Sequence, residues 1–249
     1  MHQKTNKQTG FTIVELTLAM AFLSVLLIVI ALTVIQIINI YNRGMTMKEV
    51  NQAGRAISTD IRRTLSQSQP FAVNDDTHFC LQLNSTSPCK SSISGAKGGR
   101  LCTGVYSYIW NYDSNAPVNK YKNVSSQEAV RFVRVRDISG KYCTGPQLPV
   151  DNTVAKDSAE SPVELLSSNG VSDSAVILHK LTIKKVTSNS SVGEALYSLS
   201  MVIGTDDLDA INTVDASCKP PSTSGGLQNF CAVNQFDFTA LAGNKGGSI

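Results

Sequence analysis

The strongest constraint in this sequence is an apolar run near the N-terminus. From Leu16 to Asn42 the chain has no charged residue and is rich in Leu, Ile, Val, Ala and Phe. The run exceeds the roughly 20 residues that a helix needs to cross a bilayer, so it predicts a membrane-spanning helix. Glu15 comes directly before the run, and we expect no partner for its charge nearby in the chain. An unpaired charge at membrane depth costs about 2.5–3.5 kcal/mol, so a retained one usually has a partner.

The segment before the run predicts the orientation of the chain. Lys4 and Lys7 are accompanied by no acidic residue, which favours a cytoplasmic N-terminus and an exported body. A secretory signal peptide would place small residues at a cleavage site after its apolar stretch, whereas this run continues into Ile40 and Tyr41. A plain signal anchor stays open, although it leaves Glu15 unexplained.

The cysteines all follow the apolar run, at Cys80, Cys89, Cys102, Cys143, Cys218 and Cys231. An even number on one side of a membrane anchor favours disulfides in an oxidising, extracytoplasmic compartment. No C-x-x-C motif occurs, and the histidines outside the leader are His78 and His179. A zinc cluster therefore has little support.

Length and charge limit the class of protein further. With 249 residues, of which 42% are hydrophobic, the chain can form one globular body with a good core. The formal net charge is +3, and without the two leader lysines it falls to about +1. A nearly neutral body does not favour nucleic-acid binding, so we expect no nucleic-acid partner.

Helical periodicity continues beyond the apolar run. Apolar and small residues recur there at spacings of three and four, which predicts one face packed on a globular body: Val50, Ala53, Gly54, Ile57, Ile61 and Leu65. Gln69-Pro70 is expected to end the helix, because a residue before proline is driven out of the helical conformation.

The remainder predicts short strands separated by polar loops. The predicted strands are Phe79 to Leu83, Leu101 to Trp110, Ala129 to Val135, Val176 to Val186, Leu196 to Ile203 and Phe230 to Phe238. The predicted loops are Asn84 to Gly99, Lys141 to Asn169 and Lys219 to Gly226. We therefore predict an α+β fold in which a long N-terminal helix packs on an antiparallel sheet with disulfide-stapled loops.

The run KTNKQTGFTIVELTLAMAFLSVLLIVI resembles the N-terminus of type IV pilins and type II secretion pseudopilins. The resemblance implies peptidase cleavage between Gly10 and Phe11, N-methylation of Phe11, and pairing of Glu15 with the N-terminal amine of a neighbouring subunit. Taken together with the apolar run and the periodicities above, it divides the chain into a leader at 1–10, a membrane and filament-core helix at 11–42, an amphipathic helix at 43–69 and a globular domain at 70–249. Many pilins also close a C-terminal loop with a disulfide, which implies that Cys218 pairs with Cys231.

The partners implied by the resemblance are other pilin subunits, the prepilin peptidase, the inner-membrane assembly platform, and the membrane before assembly. The implied location is the cell membrane and then an extracellular filament. The four other cysteines allow three pairings, among which the sequence does not choose. The size of the body favours a minor pilin over a major one. Adhesion, motility, DNA uptake and secretion all stay open as the task of the filament.

Two alternatives stay open beside the minor pilin. One is a secretion or competence pseudopilin, and the other is a single-pass anchored extracytoplasmic binding protein that never polymerises. Catalysis is not expected, since no G-x-S-x-G motif occurs and His179 follows the strand pattern of Ile177 and Leu181. No cofactor is expected either, although three acidic residues have oxygen ligands suited to Ca²⁺: Asp206, Asp207 and Asp209.

Overall fold

A computed structural model describes most of the chain. The described residues are 12–74, 76–84, 87–112, 118–122, 129–143, 153–155, 162–166, 176–189, 193–206, 210–212, 216–220 and 231–243. Two compact units divide at Asn42, namely Met1–Asn42 and Arg43–Ile249, and each is treated by itself below. The predicted leader and the Gly10-Phe11 junction lie outside the described residues.

Helix α1, Ile13–Ser66, begins in the first unit and ends in the second. In the first unit, every described residue other than Thr12 belongs to this helix. Every side chain from Thr12 to Ile38 is exposed, and the values for large apolar residues run from 40% at Leu26 to 83% at Ile13. A helix that is apolar on all sides needs lipid or other protein around it. The helix is also long and apolar enough to cross a membrane, which suggests a single-pass anchor.

In the second unit, one apolar face of α1 packs against the globular body. The predicted stripe is confirmed, because Val50, Gly54, Ile57, Ile61 and Leu65 are all buried. The helix ends at Ser66, somewhat before the predicted end at 69. The N–H groups of residues 67 and 68 then bond to carbonyls three residues earlier, at 3.2 and 3.0 Å, which tightens the last turn ahead of the proline.

Twelve strands are present among the described residues. In chain order they are β1 Phe79–Gln82, β2 Gly98–Cys102, β3 Tyr106–Asn111, β4 Lys120–Lys122, β5 Phe132–Arg136, β6 Thr153–Ala155, β7 Val163–Glu164, β8 Val176–Asn189, β9 Glu194–Thr205, β10 Ile211–Asn212, β11 Ser217–Cys218 and β12 Val233–Ala242. The α+β class is therefore confirmed, and the helix packs on antiparallel sheets.

The strands form two main sheets. One has five strands in the order β1-β2-β3-β5-β7, the other has three in the order β12-β9-β8, and all pairings in both are antiparallel. Two small sheets complete the described body, an antiparallel pair β10-β11 and a parallel pair β4-β6.

Several predicted boundaries were wrong. The predicted strand from Leu101 to Trp110 is two strands, because the chain turns through Gly104, whose φ of +90° disfavours other residues. The predicted loop from Lys141 to Asn169 contains β6 and β7, and the loop ending at Gly99 contains the start of β2. The short strands β4, β10 and β11 were not predicted.

The five-stranded sheet has apolar side chains on both faces. Tyr108, Trp110 and Phe132 belong to the core that the helix covers, whereas Ile109 and Val133 belong to a second core on the opposite face. Val135 of β5 belongs to this second core too, and residues outside the five-stranded sheet complete it: Val130, Tyr142, and Val154 of β6. A sheet that is buried on both faces shows no alternation of apolar and polar residues, so its strand limits are hard to predict.

The three-stranded sheet has one buried and one wetter face. Tyr197, Leu199, Met201 and Ile203 of β9 are fully buried, and the residues between them are partly exposed. This confirms the alternation that predicted the strand. The buried face packs in the same core as the helix stripe.

Candidate functional site

The candidate site is the first turn of α1, where the apolar run begins. Thr12 precedes the helix, and its N–H and hydroxyl lie 2.9 and 3.0 Å from Oε2 of Glu15. In return, the N–H of Glu15 lies 3.3 Å from the hydroxyl oxygen of Thr12. These contacts form a capping box, in which the residue before the helix and the third helical residue satisfy each other's backbone N–H groups.

The capping box corrects the expectation that Glu15 has no partner nearby in the chain. Two donors of Thr12 reach its carboxylate, so its hydrogen-bonding capacity is partly used within one subunit. The donors are neutral, however, and they leave the negative charge in place. Glutamine fills the third position of a capping box as well as glutamate does, so capping alone does not explain a charge beside an apolar run.

Glu15 is fully exposed in the single chain. A negative charge in the first turn of a helix gains about 0.3–1 kcal/mol from the helix dipole. Burying an unpaired carboxylate at membrane depth costs about 2.5–3.5 kcal/mol, so the dipole does not compensate for burial. Once the apolar helix is covered at this level, the carboxylate must either pair with a cation or take up a proton.

All six cysteines form disulfides, and no cysteine is free. The pairs are Cys80–Cys89, Cys102–Cys143 and Cys218–Cys231. The local C-terminal pair is the one that the resemblance implied, and one of the three pairings left open for the other cysteines is now assigned. The disulfides staple loops of the second unit, since the pairs are separated by 9, 41 and 13 residues.

A buried cation lies beside one of the disulfides. Nη2 of Arg100 is 2.8 Å from Sγ of Cys89, and only 2% of this arginine is exposed. Burial lowers the pKa of Arg100 to about 10, against the opposing effect of the negative charge on Asp137. The guanidinium therefore stays cationic at neutral pH.

The calcium candidates are only partly within the described residues. Asp206 follows β9 and is half-buried, whereas Asp207 and Asp209 lie outside the described residues. Within the part of the chain that the structure describes, no three His, Cys, Asp or Glu side chains come together as a metal site. Calcium binding stays a prediction without structural support.

His78 and His179 pack within the second unit. Nε2 of His179 lies 3.2 Å from the carbonyl oxygen of Thr205, and burial lowers the pKa of His179. The ring of His78 stacks on Phe71 with 4.7 Å between centroids. These contacts agree with packed side chains, and the expectation that the chain is not an enzyme stays a prediction.

A polar network joins α1 to the five-stranded sheet. The hydroxyl of Tyr108 lies 2.8 Å from both Oδ2 of Asp60 and Oγ1 of Thr64, and Arg134 forms an ion pair with Asp60. Burial raises the pKa of Tyr108 well above its usual value, so the phenol stays protonated and donates to the carboxylate. The network fixes the position of the helix on the sheet.

Comparisons of the chain with models of protein families, with curated proteins and with solved structures find no match. The long N-terminal apolar helix, its packing on antiparallel sheets and the three disulfides are compatible with a pilin-like fold.

Proposed function

We propose that this chain is a structural subunit, of the minor kind, of a type IV pilus or a related filament. The observation that carries the proposal is the charge of Glu15 at the start of an apolar helix that is exposed on all sides. The residues before it, Gly10-Phe11, give the junction at which a prepilin peptidase would cut and methylate. The charged amine of Phe11 on a neighbouring subunit would then be the cation that Glu15 lacks in the single chain.

The steps of assembly follow from this chemistry. The apolar helix first holds the subunit in the membrane, with the leader in the cytoplasm and the body exported. Three disulfides support export, because such bonds persist in oxidising compartments. When helices pack into a filament core, Glu15 can pair with an amine only if the subunit has the correct position along the filament axis. The pairing stabilises that position, since a buried charge without its partner is strongly destabilising. A pseudopilin of a secretion or competence system would use the same steps.

The capping box favours a second candidate, a single-pass anchored binding protein that does not polymerise. Thr12 and Glu15 satisfy each other within one chain, so Glu15 needs no second subunit for its hydrogen bonds. The two candidates differ in what they require of Glu15. A filament subunit needs its negative charge, whereas an anchor needs only its capping oxygen.

Two variants separate these requirements. Glu15→Gln keeps an acceptor for the capping box and removes the charge, whereas Thr12→Val keeps the charge and removes the hydroxyl of the cap. In cells carrying each version as the sole copy, the measurement is the ratio of sheared surface protein to membrane-retained protein. A filament role predicts that Glu15→Gln lowers this ratio at least tenfold, from a loss of about 3–5 kcal/mol on leaving the amine unpaired. Thr12→Val should change it no more than about fivefold, from a capping loss of about 1 kcal/mol.

The opposite pattern would contradict the filament role. If Glu15→Gln keeps the native ratio, or if the native chain gives no sheared protein at all, the negative charge serves no assembly step and the chain is an anchor. An independent check is the N-terminal peptide of protein taken from the native cell, which should begin at N-methylated Phe11. Gly10→Val is the matched control, because it should block cleavage and leave Met1 or the leader attached. Surface protein that keeps its leader in the native version would also contradict the proposal.

A further inference from the structure

A groove of about 600 Å³ runs beside β8 in the second unit. Its apolar lining comes from the edge of the five-stranded sheet and the loop after it, mainly Phe79, Leu81 and Ile93. Its other side is β8 itself, from His179 to Lys184. We call this space the β8 groove.

The backbone of β8 faces the groove, although Tyr112 already occupies the N–H of Leu181. Among the described residues β8 is an edge strand that pairs only with β9. The N–H of Leu181 points away from β9, since it donates to the hydroxyl of Tyr112 at 3.3 Å. Backbone groups of alternate residues in a strand point the same way, so the N–H and C=O of Ile183 also face the groove. The register of β8 shifts on either side of this stretch, which leaves Lys180 to Lys185 as its regular part.

The side chains along this regular part divide into two rows. Leu181 and Ile183 are buried on the core side, whereas Lys180 and Lys184 are exposed on the other side. Within the part of the chain that the structure describes, neither lysine forms an ion pair with a carboxylate. The groove thus has an apolar floor and a positively charged rim.

We propose that the β8 groove binds an extended acidic segment of a partner protein, which adds to the sheet as a further strand. An added strand would direct alternate side chains toward the floor at Phe79 and Leu81 and toward the rim at Lys180 and Lys184. The segment is therefore one in which apolar and acidic residues alternate. The regular part of β8 extends over six residues, a length of roughly 20 Å, of which the added strand would use the outward backbone groups that Tyr112 does not occupy. This proposal does not depend on filament assembly.

Lysines and bulges are also a common protection of edge strands against aggregation. Such protection needs no cavity beside the strand and no apolar floor. The β8 groove has both, and the outward-facing backbone of Ile183 lies along it. An apolar floor together with a lysine rim favours an acidic strand as the ligand. A neutral or basic strand would lose the contacts with the lysines.

The test uses the full chain in detergent micelles and a fluorescent hexapeptide that alternates valine and glutamate. Binding is measured by fluorescence anisotropy, and amide hydrogen exchange is followed at Ile183. The peptide should bind and slow exchange at Ile183, whereas a valine and lysine hexapeptide should not bind. Lys184→Glu should weaken binding at least about tenfold, because two negative charges would then face each other across the paired strands. Lys48→Glu makes the same change on the exposed helix surface and should stay within about twofold, because distant charges are screened.

A peptide N-methylated on its groove-facing amides distinguishes strand addition from simple charge attraction. It keeps every charge but cannot donate backbone hydrogen bonds, so it should bind at least about tenfold more weakly. Equal binding of the methylated peptide, or equal weakening by Lys48→Glu and Lys184→Glu, would overturn the proposal. Slow exchange at Ile183 before any peptide is added would overturn it as well, because the groove would then be filled by the chain's own residues.

Discussion

Removing a single hydroxyl group should measure how strongly α1 is held on the five-stranded sheet. The change is Tyr108→Phe, which keeps the buried ring in place and removes the O–H that donates to Asp60. Thr64 keeps a bond of 3.1 Å to the carbonyl of Ile61, and Asp60 keeps its ion pair with Arg134. The substitution therefore removes the tyrosine's own contribution and leaves its partners satisfied.

The expected loss follows from the chemistry of the acceptor. A hydrogen bond to a charged group contributes about 1.5–3 kcal/mol, so Tyr108→Phe should lower the free energy of unfolding by that amount. For a domain of this size the melting temperature should fall by roughly 3–12 °C. Tyr106→Phe is the matched control two residues earlier on β3, where the ring is half-exposed beneath Arg134 at 5.1 Å. Its effect should stay within about 0.5 kcal/mol.

The assay is denaturant unfolding of the full chain in detergent, with its disulfides intact. Trp110 is the single tryptophan and is fully buried in the core beside Tyr108, so its fluorescence reports the unfolding of this region. Asp60→Asn is then made in the native and Tyr108→Phe backgrounds, which isolates the coupling of the pair. Equal unfolding free energies for Tyr108→Phe and Tyr106→Phe, with no coupling to Asp60, would refute the view that the network holds the helix.

Three further predictions concern packing, pH and a disulfide. Gly54→Leu should lower the free energy of unfolding by about 1–3 kcal/mol, because a Cβ at Gly54 would come within 2.1 Å of the Phe236 ring, and Phe236→Ala should restore part of the loss. Burial lowers the pKa of His179, so the unfolded chain binds its proton more readily and stability should fall as the pH drops through about 6.5. His179→Gln should reduce the change of the unfolding free energy with pH in this range. If the slope of unfolding free energy against pH stays the same, other groups cause the pH dependence. Replacing Cys218 and Cys231 by serine should cost about 3 kcal/mol, measured by the same unfolding assay, since the pair closes a short loop.

The parts of the fold that the sequence predicted best are those with one buried face. The stripe containing Ile57 and Ile61 repeats with helical spacing, and Tyr197 to Ile203 alternates along β9, so each pattern could be recognised without the rest of the chain. The five-stranded sheet was harder because Tyr108 and Ile109 are both buried, on opposite faces. The second core depends on long connections whose contacts are distant in sequence.

The candidate site was predictable to different degrees. Glu15 could be found because a charge beside a long apolar run is unusual, whereas its capping role was missed. The signal was available, since Thr12 and Glu15 have the T-x-x-E spacing of a capping box. The pairing of Asp60 with Tyr108 had no such signal, because 48 positions separate the two residues. The β8 groove was not predicted either, since it arises only where the edges of two sheets come close.

The contact between Phe71 and Tyr197 gives the chain after α1 a mechanical connection to the middle of a sheet. Shortly after α1 ends, the N–H and C=O of Phe71 both bond to the hydroxyl of Tyr197, each at 2.7 Å, and the two rings stack at 4.6 Å. Tyr197 belongs to β9, the central strand of its sheet, which pairs with a neighbour on each side. A pull that is transmitted past the end of α1 to Phe71 would therefore enter the three-stranded sheet at its middle strand, which has a ladder of hydrogen bonds on each side. Peeling one edge strand at a time would need far less force.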